Sequence, residues 1–297
     1  MDFLEITDLS EMETILEIKG VTKSFDGLVV LDKACCSVQE GTISAFFGEN
    51  GSGKTTLFHI ISGFMKADVG EIFYKQLPLA HSTPAGIAHL GIGRVWQNPR
   101  ICKNLSVLDN LMLASRNHPG EFLLNYFLHP FRIDQEEKMR RKIAEETAEQ
   151  IALSEYLLDS AGALSFGQQK LLSIGMLLMN EATLLLLDEP FAGVNAKMIE
   201  RISEVMIKLK VNGKTIMMIE HNRATAKIIS DTQFFVTKGK VIEESITKVH
   251  EVSRIRANDT IEERQPPIVM RAGQLKPRAS HVNLFDHDIA AINGVFL

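Results

Sequence analysis

A chain of 297 residues can bury a substantial core, as one large domain or two modest ones. Its 45% hydrophobic and 23% charged residues are those of an ordinary soluble globular protein, not of a disordered or membrane-spanning one. With 32 basic against 37 acidic residues the net charge is −5, which argues against a nucleic-acid partner.

The start, MDFLEITDLSEMETILEIKG, is acidic and has neither the basic nor the apolar region of a secretory signal. Ile15 to Val21 and Val29 to Val38 read as short strands, and GTISAFFG as an apolar strand ending in glycine. Cys35, Cys36 and Cys102 have no C-x-x-C spacing and no histidines at metal-ligand intervals, so they read as buried free thiols. KTTLFHIISGF has helical spacing directly after the glycines. GEIFYK is a further strand, TPAGIAHLG a short helix with proline near its start, and IGRVWQNP an extended piece halted by Pro99.

From Ser106 the pattern turns helical through SVLDNLMLASR, an aromatic-rich stretch GEFLLNYFLHPF and the charged run DQEEKMRRKIAEETAEQIAL, which reads as a solvated face. After LSFGQQ, α and β segments alternate: a helix to Met179, the strand ATLLLLD, the helix AKMIERISEVMIKLK, the strand GKTIMMIEH, the helix ATAKIIS and two strands in TQFFVTKGKVIEE. Continuous apolar strands between helices predict a mainly parallel sheet covered on both faces. Apolar runs such as ATLLLLD and LLSIGMLLM fall well short of the roughly 20 residues of a membrane helix. Beyond Ile246 the pattern fades into a linker-like ERQPPIVMRAGQLKPRAS and a final HVNLFDHDIAAINGVFL that could form a short amphipathic piece.

GENGSGKTT, spanning Gly48, Glu49, Asn50, Gly51, Ser52, Gly53, Lys54, Thr55 and Thr56, fits G-x-x-x-x-G-K-[ST] and lies between a strand and a helix. Glycines let backbone wrap a phosphate, and successive N–H groups with a helix N-terminus supply positive potential. Lys54 is placed to reach the β- and γ-phosphates, and Thr55 to ligate Mg²⁺. LLLLDEP delivers carboxylates at the end of a buried strand: Asp188 to hold Mg²⁺, directly or through water, and Glu189 to polarise an attacking water. Asp-Glu-Pro is also ordinary turn chemistry. IEH repeats the strand-end geometry with Glu220 and His221, whereas Gln97 and Phe25 say little by themselves.

In this order and spacing the residues resemble the nucleotide-binding subunit of ABC transporters, from about Leu16 to Glu244. The resemblance implies an α/β P-loop NTPase (RecA-like) core of mainly parallel sheet, with an antiparallel β subdomain and an inserted α-helical signature subdomain. It divides the chain into an extension at 1–13, a cassette at 14–245 with the helical subdomain at about 84–175, and a second extension at 246–297. It implies ATP and Mg²⁺ as ligands, Phe25 stacking on adenine, Gln97 approaching Mg²⁺ and linking the site to the membrane partner, Glu189 as catalytic base, and His221 on the γ-phosphate. Leu164 to Gln168, LSFGQ, matches the signature motif LSGGQ, whose Ser165, Phe166, Gly167 and Gln168 would face the nucleotide of a second ATP-binding subunit.

Within the family, LLLLDEPFAGVNAK, SFGQQKLLSIGMLL, MIEHN and the charged insert from about Asn117 to Gln150 are similar to branched-chain amino-acid, urea and amide importers. That likeness implies ATP hydrolysis driving uptake, permease subunits, an extracytoplasmic solute-binding protein and a cytoplasmic position on the inner face of the membrane. A lipid or lipopolysaccharide exporter, or a soluble non-transport ABC ATPase, is the alternative. Phe166 stands where the family most often has glycine, Asn195 where many members have aspartate, and the chain continues past the last strand to Leu297.

Overall fold

The computed structural model describes residues 13–80, 82–116, 130–221 and 223–244. The extensions placed at 1–13 and 246–297, apart from Glu13, lie outside these residues, as does most of the aromatic-rich stretch before Pro130.

β1 (Thr14–Phe25) and β2 (Leu28–Gln39) form a hairpin of two twelve-residue strands. Each outlasts the short strands read from the sequence because an Asp26-Gly27 turn joins them directly. Both turn residues have positive φ, +48° and +87°, the pairing that matches the twist of a two-residue hairpin. β4 (Val69–Tyr74) adds antiparallel to β1, and β5 (Leu77–Pro78), too short to leave a sequence signature, pairs with Phe73 and Tyr74. The order β2-β1-β4-β5 makes the expected antiparallel sheet. The expectation of buried thiols fails for Cys35, which is exposed, and is met only in part by Cys36 and Cys102, which are half-buried. On β2 the residues Ala34, Cys36 and Val38 alternate onto the inward face, where Cys36 packs against the core but stays partly open, and Cys35 points to the other face.

The second sheet has the order β10-β9-β3-β8-β7-β6. β3 (Ile43–Phe47), β7 (Leu184–Asp188), β8 (Thr215–Ile219), β6 (Ile92–Val95) and β9 (Thr232–Thr237) run parallel, and β10 (Lys240–Glu244) closes the edge antiparallel. Every residue of β3, β7 and β8 is buried, as continuous apolar strands require when both faces are covered. Phe46, Leu184, Leu186, Met217, Ile219 and Phe234 face a core shared with α1 (Lys54–Ile61) and the antiparallel sheet. Ile43, Phe47, Leu185, Leu187, Ile216 and Met218 face a second core shared with the helices.

Those helices are α3 (Val107–Leu113), α4 (Pro130–Gln150), α5 (Phe166–Met179), α6 (Ala196–Val211) and α7 (Arg223–Ile229), whose Ala226 and Ile229 join that core, while α2 (Pro84–Leu90) lies against the edge strand β6. α4 behaves as its charge pattern predicts. Ala144, Thr147 and Ala148 are buried, while Arg141–Glu145 and Lys142–Glu146 form i,i+4 pairs on the outer face. Among the described residues no helix is long and apolar enough to cross a membrane.

Candidate functional site

The parallel register brings three strand ends to one edge of the sheet. Phe46 on β3 pairs with Ile219 on β8, and Asp188 on β7 pairs with the same Ile219. The next residues therefore emerge side by side: Gly48 after β3, Glu189 after β7, Glu220 and His221 after β8. Open α/β sheets bind their ligands at this edge.

The loop from Gly48 to Gly53 turns back into α1. Gly53 has φ +103°, and a Cβ there would lie 2.8 Å from both Leu31 Cδ2 and the Val30 carbonyl oxygen, so the position demands glycine. Gly53 is also the helix N-cap and has no side chain to satisfy the first-turn N–H groups, which leaves that end of α1 suited to an anion. Lys54 is buried, and its ammonium donates to the carbonyls of Gly48 and Glu49, both at 2.8 Å. Burial lowers its pKa, while Glu189 and Asp188 oppose that shift. Thr55, one residue on, is exposed, Thr56 is half-buried, and Glu49, Asn50 and Gly51 lie on the outer rim with Ser52 beside them.

Three residues predicted to act together do meet. The Gln97 amide donates to Glu189 Oε2 at 2.8 Å, and His221 Nε2 lies 2.9 Å from Glu189 Oε1. Both carboxylate oxygens are thereby fixed in direction. Glu189 has φ +52°, a left-handed conformation unusual for this residue type, and its own N–H is bound to the Ile219 carbonyl at 3.0 Å. Asp188 lies behind it, with Oδ2 accepting from Arg94 at 3.1 Å.

This donor set suits a phosphate-bound divalent cation: one carboxylate from Asp188, the Thr55 hydroxyl and the Gln97 amide, with phosphate oxygens and water completing the shell. The described residues hold no cluster of three or more His, Cys, Asp or Glu side chains able to cage a metal unaided. A cation at this edge would need the phosphate.

Phe25 ends β1, 40% exposed, with Lys23 Nζ 5.5 Å from its ring centre. The signature residues lie elsewhere, at the start of α5. Ser165 and Gln168 form a reciprocal capping box, with the Ser165 N–H donating to Gln168 Oε1 at 2.8 Å. Ser165 and Phe166 are exposed, and Gly167 is buried. Among the described residues no hydrogen bond joins Ser165, Phe166, Gly167 or Gln168 to the phosphate loop.

Three residues not given a role by the sequence complete the site. Arg94, on β6, pairs with Asp188. Lys170, on α5, donates to the carbonyls of Glu189, Pro190 and Ala192. Glu220 accepts from the Phe191 N–H at 2.8 Å, and burial raises its pKa. For Arg94 and Lys170 the available signal was charge in or at the edge of otherwise apolar segments, IGRV and KLLSIGMLLM, and for Glu220 the polar end of an apolar strand.

A family model described as ABC transporter matches residues 31–192. The chain is 36% identical over 230 residues to a probable branched-chain amino acid transport ATP-binding protein, LivG, of Methanocaldococcus jannaschii, covering 77% of this chain and 89% of that one. It is 33% identical over 228 residues to the high-affinity branched-chain amino acid transport ATP-binding protein BraF of Pseudomonas aeruginosa, covering 76% and 89%. A crystal structure of a nucleotide-free ATP-binding cassette from an ABC transporter superposes with TM-score 0.67 at 34% identity, over 77% of this chain and 90% of that one.

Proposed function

Because the chain belongs to the ABC transporter family and is an ATP-hydrolysing subunit of that kind, we propose that it energises uptake of branched-chain or related small polar amino acids or amides. The relatives named for branched-chain amino acid transport support that substrate class. The observation that carries the hydrolytic reading is the Glu189 carboxylate held between Gln97 and His221 beside the phosphate loop.

In this reading Phe25 stacks on adenine, and Gly48 to Thr56 wrap the phosphates. Lys54 exchanges its loop carbonyls for β- and γ-phosphate oxygens. Mg²⁺, held by Thr55, Asp188 and Gln97, would neutralise charge on the phosphates. Glu189 accepts a proton from the attacking water, whose oxygen bonds to the γ-phosphorus as the bond to the β-phosphate oxygen breaks and ADP leaves. His221 holds the γ-phosphate end. Ser165, exposed at the capped start of α5, and the Gly167 backbone serve the nucleotide of a second ATP-binding subunit. ADP lacks the phosphate they would contact, so hydrolysis weakens the closed pair.

Lys54→Met is expected to reduce ATP affinity at least ~10-fold by titration calorimetry, since one charge-assisted phosphate contact contributes about 1.5–3 kcal/mol. The transport reading is tested by purifying the chain from detergent-solubilised membranes. Two polytopic permeases should accompany it, and deletion should abolish uptake of labelled leucine, isoleucine and valine, or of a related amide, into cells. Recovery with ribosomes, or unchanged uptake of this whole class beside a defect in lipid export, would reject it.

A further inference from the structure

Lys170 is 2% exposed and sits in the second turn of α5, three residues after Gly167. Its ammonium has three N–H donors. They go to the carbonyl oxygens of Glu189 at 2.6 Å, Ala192 at 2.7 Å and Pro190 at 3.2 Å. Burial lowers its pKa, with Glu220, Glu189 and Asp188 acting the other way. From the opposite side Glu220 accepts the Phe191 N–H, and Ile219 accepts the Glu189 N–H. The turn that carries Glu189 is thus clamped between α5 and the end of β8.

The signature residues pack on the same turn. The Phe166 ring centre is 5.0 Å from Lys170 Nζ, and its edge stands 3.4 Å from where a Cβ on Gly193 would sit. A Cβ on Gly167 would meet Met198 Cγ at 2.2 Å and Val194 Cγ1 at 3.2 Å, so only glycine lets α5 approach the start of α6 this closely. Phe166 covers the lysine, and Gly167 permits the approach.

We propose that Lys170 is a positioning residue that locks the start of α5 and the Glu189 turn into one unit, so that γ-phosphate capture by Ser165 and Gly167 in the partner subunit's site orients Glu189 in this chain's own site. The inference rests on the two-subunit ATPase reading above. It assigns a coupling between sites to one side chain. Without the three carbonyl bonds, Glu189 is free to leave its left-handed conformation, which costs about 1 kcal/mol or more to hold. Its carboxylate then moves off the attacking water.

The experiment measures phosphate release by the full-length chain across an ATP series for wild type, Lys170→Met and Lys170→Arg. Lys170→Met should lose about 10²-fold in kcat, the penalty of a misplacement near 1 Å, with KM for ATP within ~3-fold and the Hill coefficient falling to about 1. Lys170→Arg, whose guanidinium can reach the same carbonyls, should recover kcat to within ~5-fold and restore cooperativity. A purely structural role would raise KM in step with the loss of kcat and leave the cooperativity of the residual rate unchanged. That outcome overturns the inference, as does a Lys170→Met chain with wild-type kcat. If Lys170→Met does not fold, Lys170→Gln is measured in its place, and failure of both to fold assigns the lysine to stability alone and also overturns it. A wild-type chain without ATPase activity overturns both this inference and the hydrolase reading, whereas an active wild type beside an unaffected Lys170→Met overturns this inference only.

Discussion

Glu189→Gln is expected to lower kcat for ATP hydrolysis by about 10²–10⁴-fold while leaving ATP binding intact, the range lost when a positioned general base is removed. The replacement keeps the shape of the site. Gln97 donates to one carboxylate oxygen and His221 lies against the other, and an amide can answer both once the Gln97 amide flips or the imidazole changes tautomer. The backbone contacts of residue 189, its N–H to Ile219 and its carbonyl to Lys170, do not depend on the side chain. Only basicity is lost. With turnover blocked, the γ-phosphate persists, and the contacts that favour the closed pair persist with it. Size-exclusion chromatography with ATP and Mg²⁺ should show a dimer for Glu189→Gln that ADP does not support. A monomer with ATP, or a rate within ~10-fold of wild type, would remove Glu189 from the role of base.

What the sequence makes legible follows from where the information is stored. The phosphate loop is contiguous, and its strand and helix flanks confirm its context within a few residues. Asp188, Glu189, Glu220 and His221 are each marked by an apolar strand that ends abruptly in polar residues. The strand order 3-8-7 then brings those ends together. Arg94 and Lys170 are different. Arg94 meets a carboxylate 94 positions away, and Lys170 meets backbone oxygens, which carry no side-chain signature at all. The thiols differ for a related reason: neighbouring Cys35 and Cys36 must point to opposite faces of β2, and which face meets the core is set by the sheet's packing, not by the residue type. Phe166 departs from the motif's usual glycine, and its place over Lys170 and beside Gly193 is set by the tertiary fold alone.

Arg94→Met should be the most destabilising of the substitutions considered, by about 3–5 kcal/mol, the cost of breaking a buried ion pair from one side. The Arg94 side chain is 3% exposed and that of Asp188 10%, so water can replace little of what is lost. Nη2 bonds Asp188 Oδ2 and Nη1 bonds Ser62 Oγ, both at 3.1 Å, while the guanidinium carbon lies 4.0 Å from the Trp96 ring centre. Methionine retains the apolar stem and some contact with Trp96, and therefore isolates the charge from the packing. The arginine itself is not fully compensated: Nε is buried without a hydrogen-bond partner, and burial lowers the guanidinium pKa despite Asp188. The pair is thus costly to hold and costlier to halve. For a domain of this size, each 1 kcal/mol shifts the melting temperature by about 2–4 °C, so Arg94→Met should melt roughly 6–20 °C below wild type by calorimetry. Asp188→Asn relieves the stranded carboxylate. The Arg94→Met/Asp188→Asn chain should therefore be less destabilised than the sum of its single substitutions, by roughly 1–3 kcal/mol of coupling. Strict additivity, or a melting point for Arg94→Met within ~2 °C of wild type, would show that the pair does not hold β6 to β7.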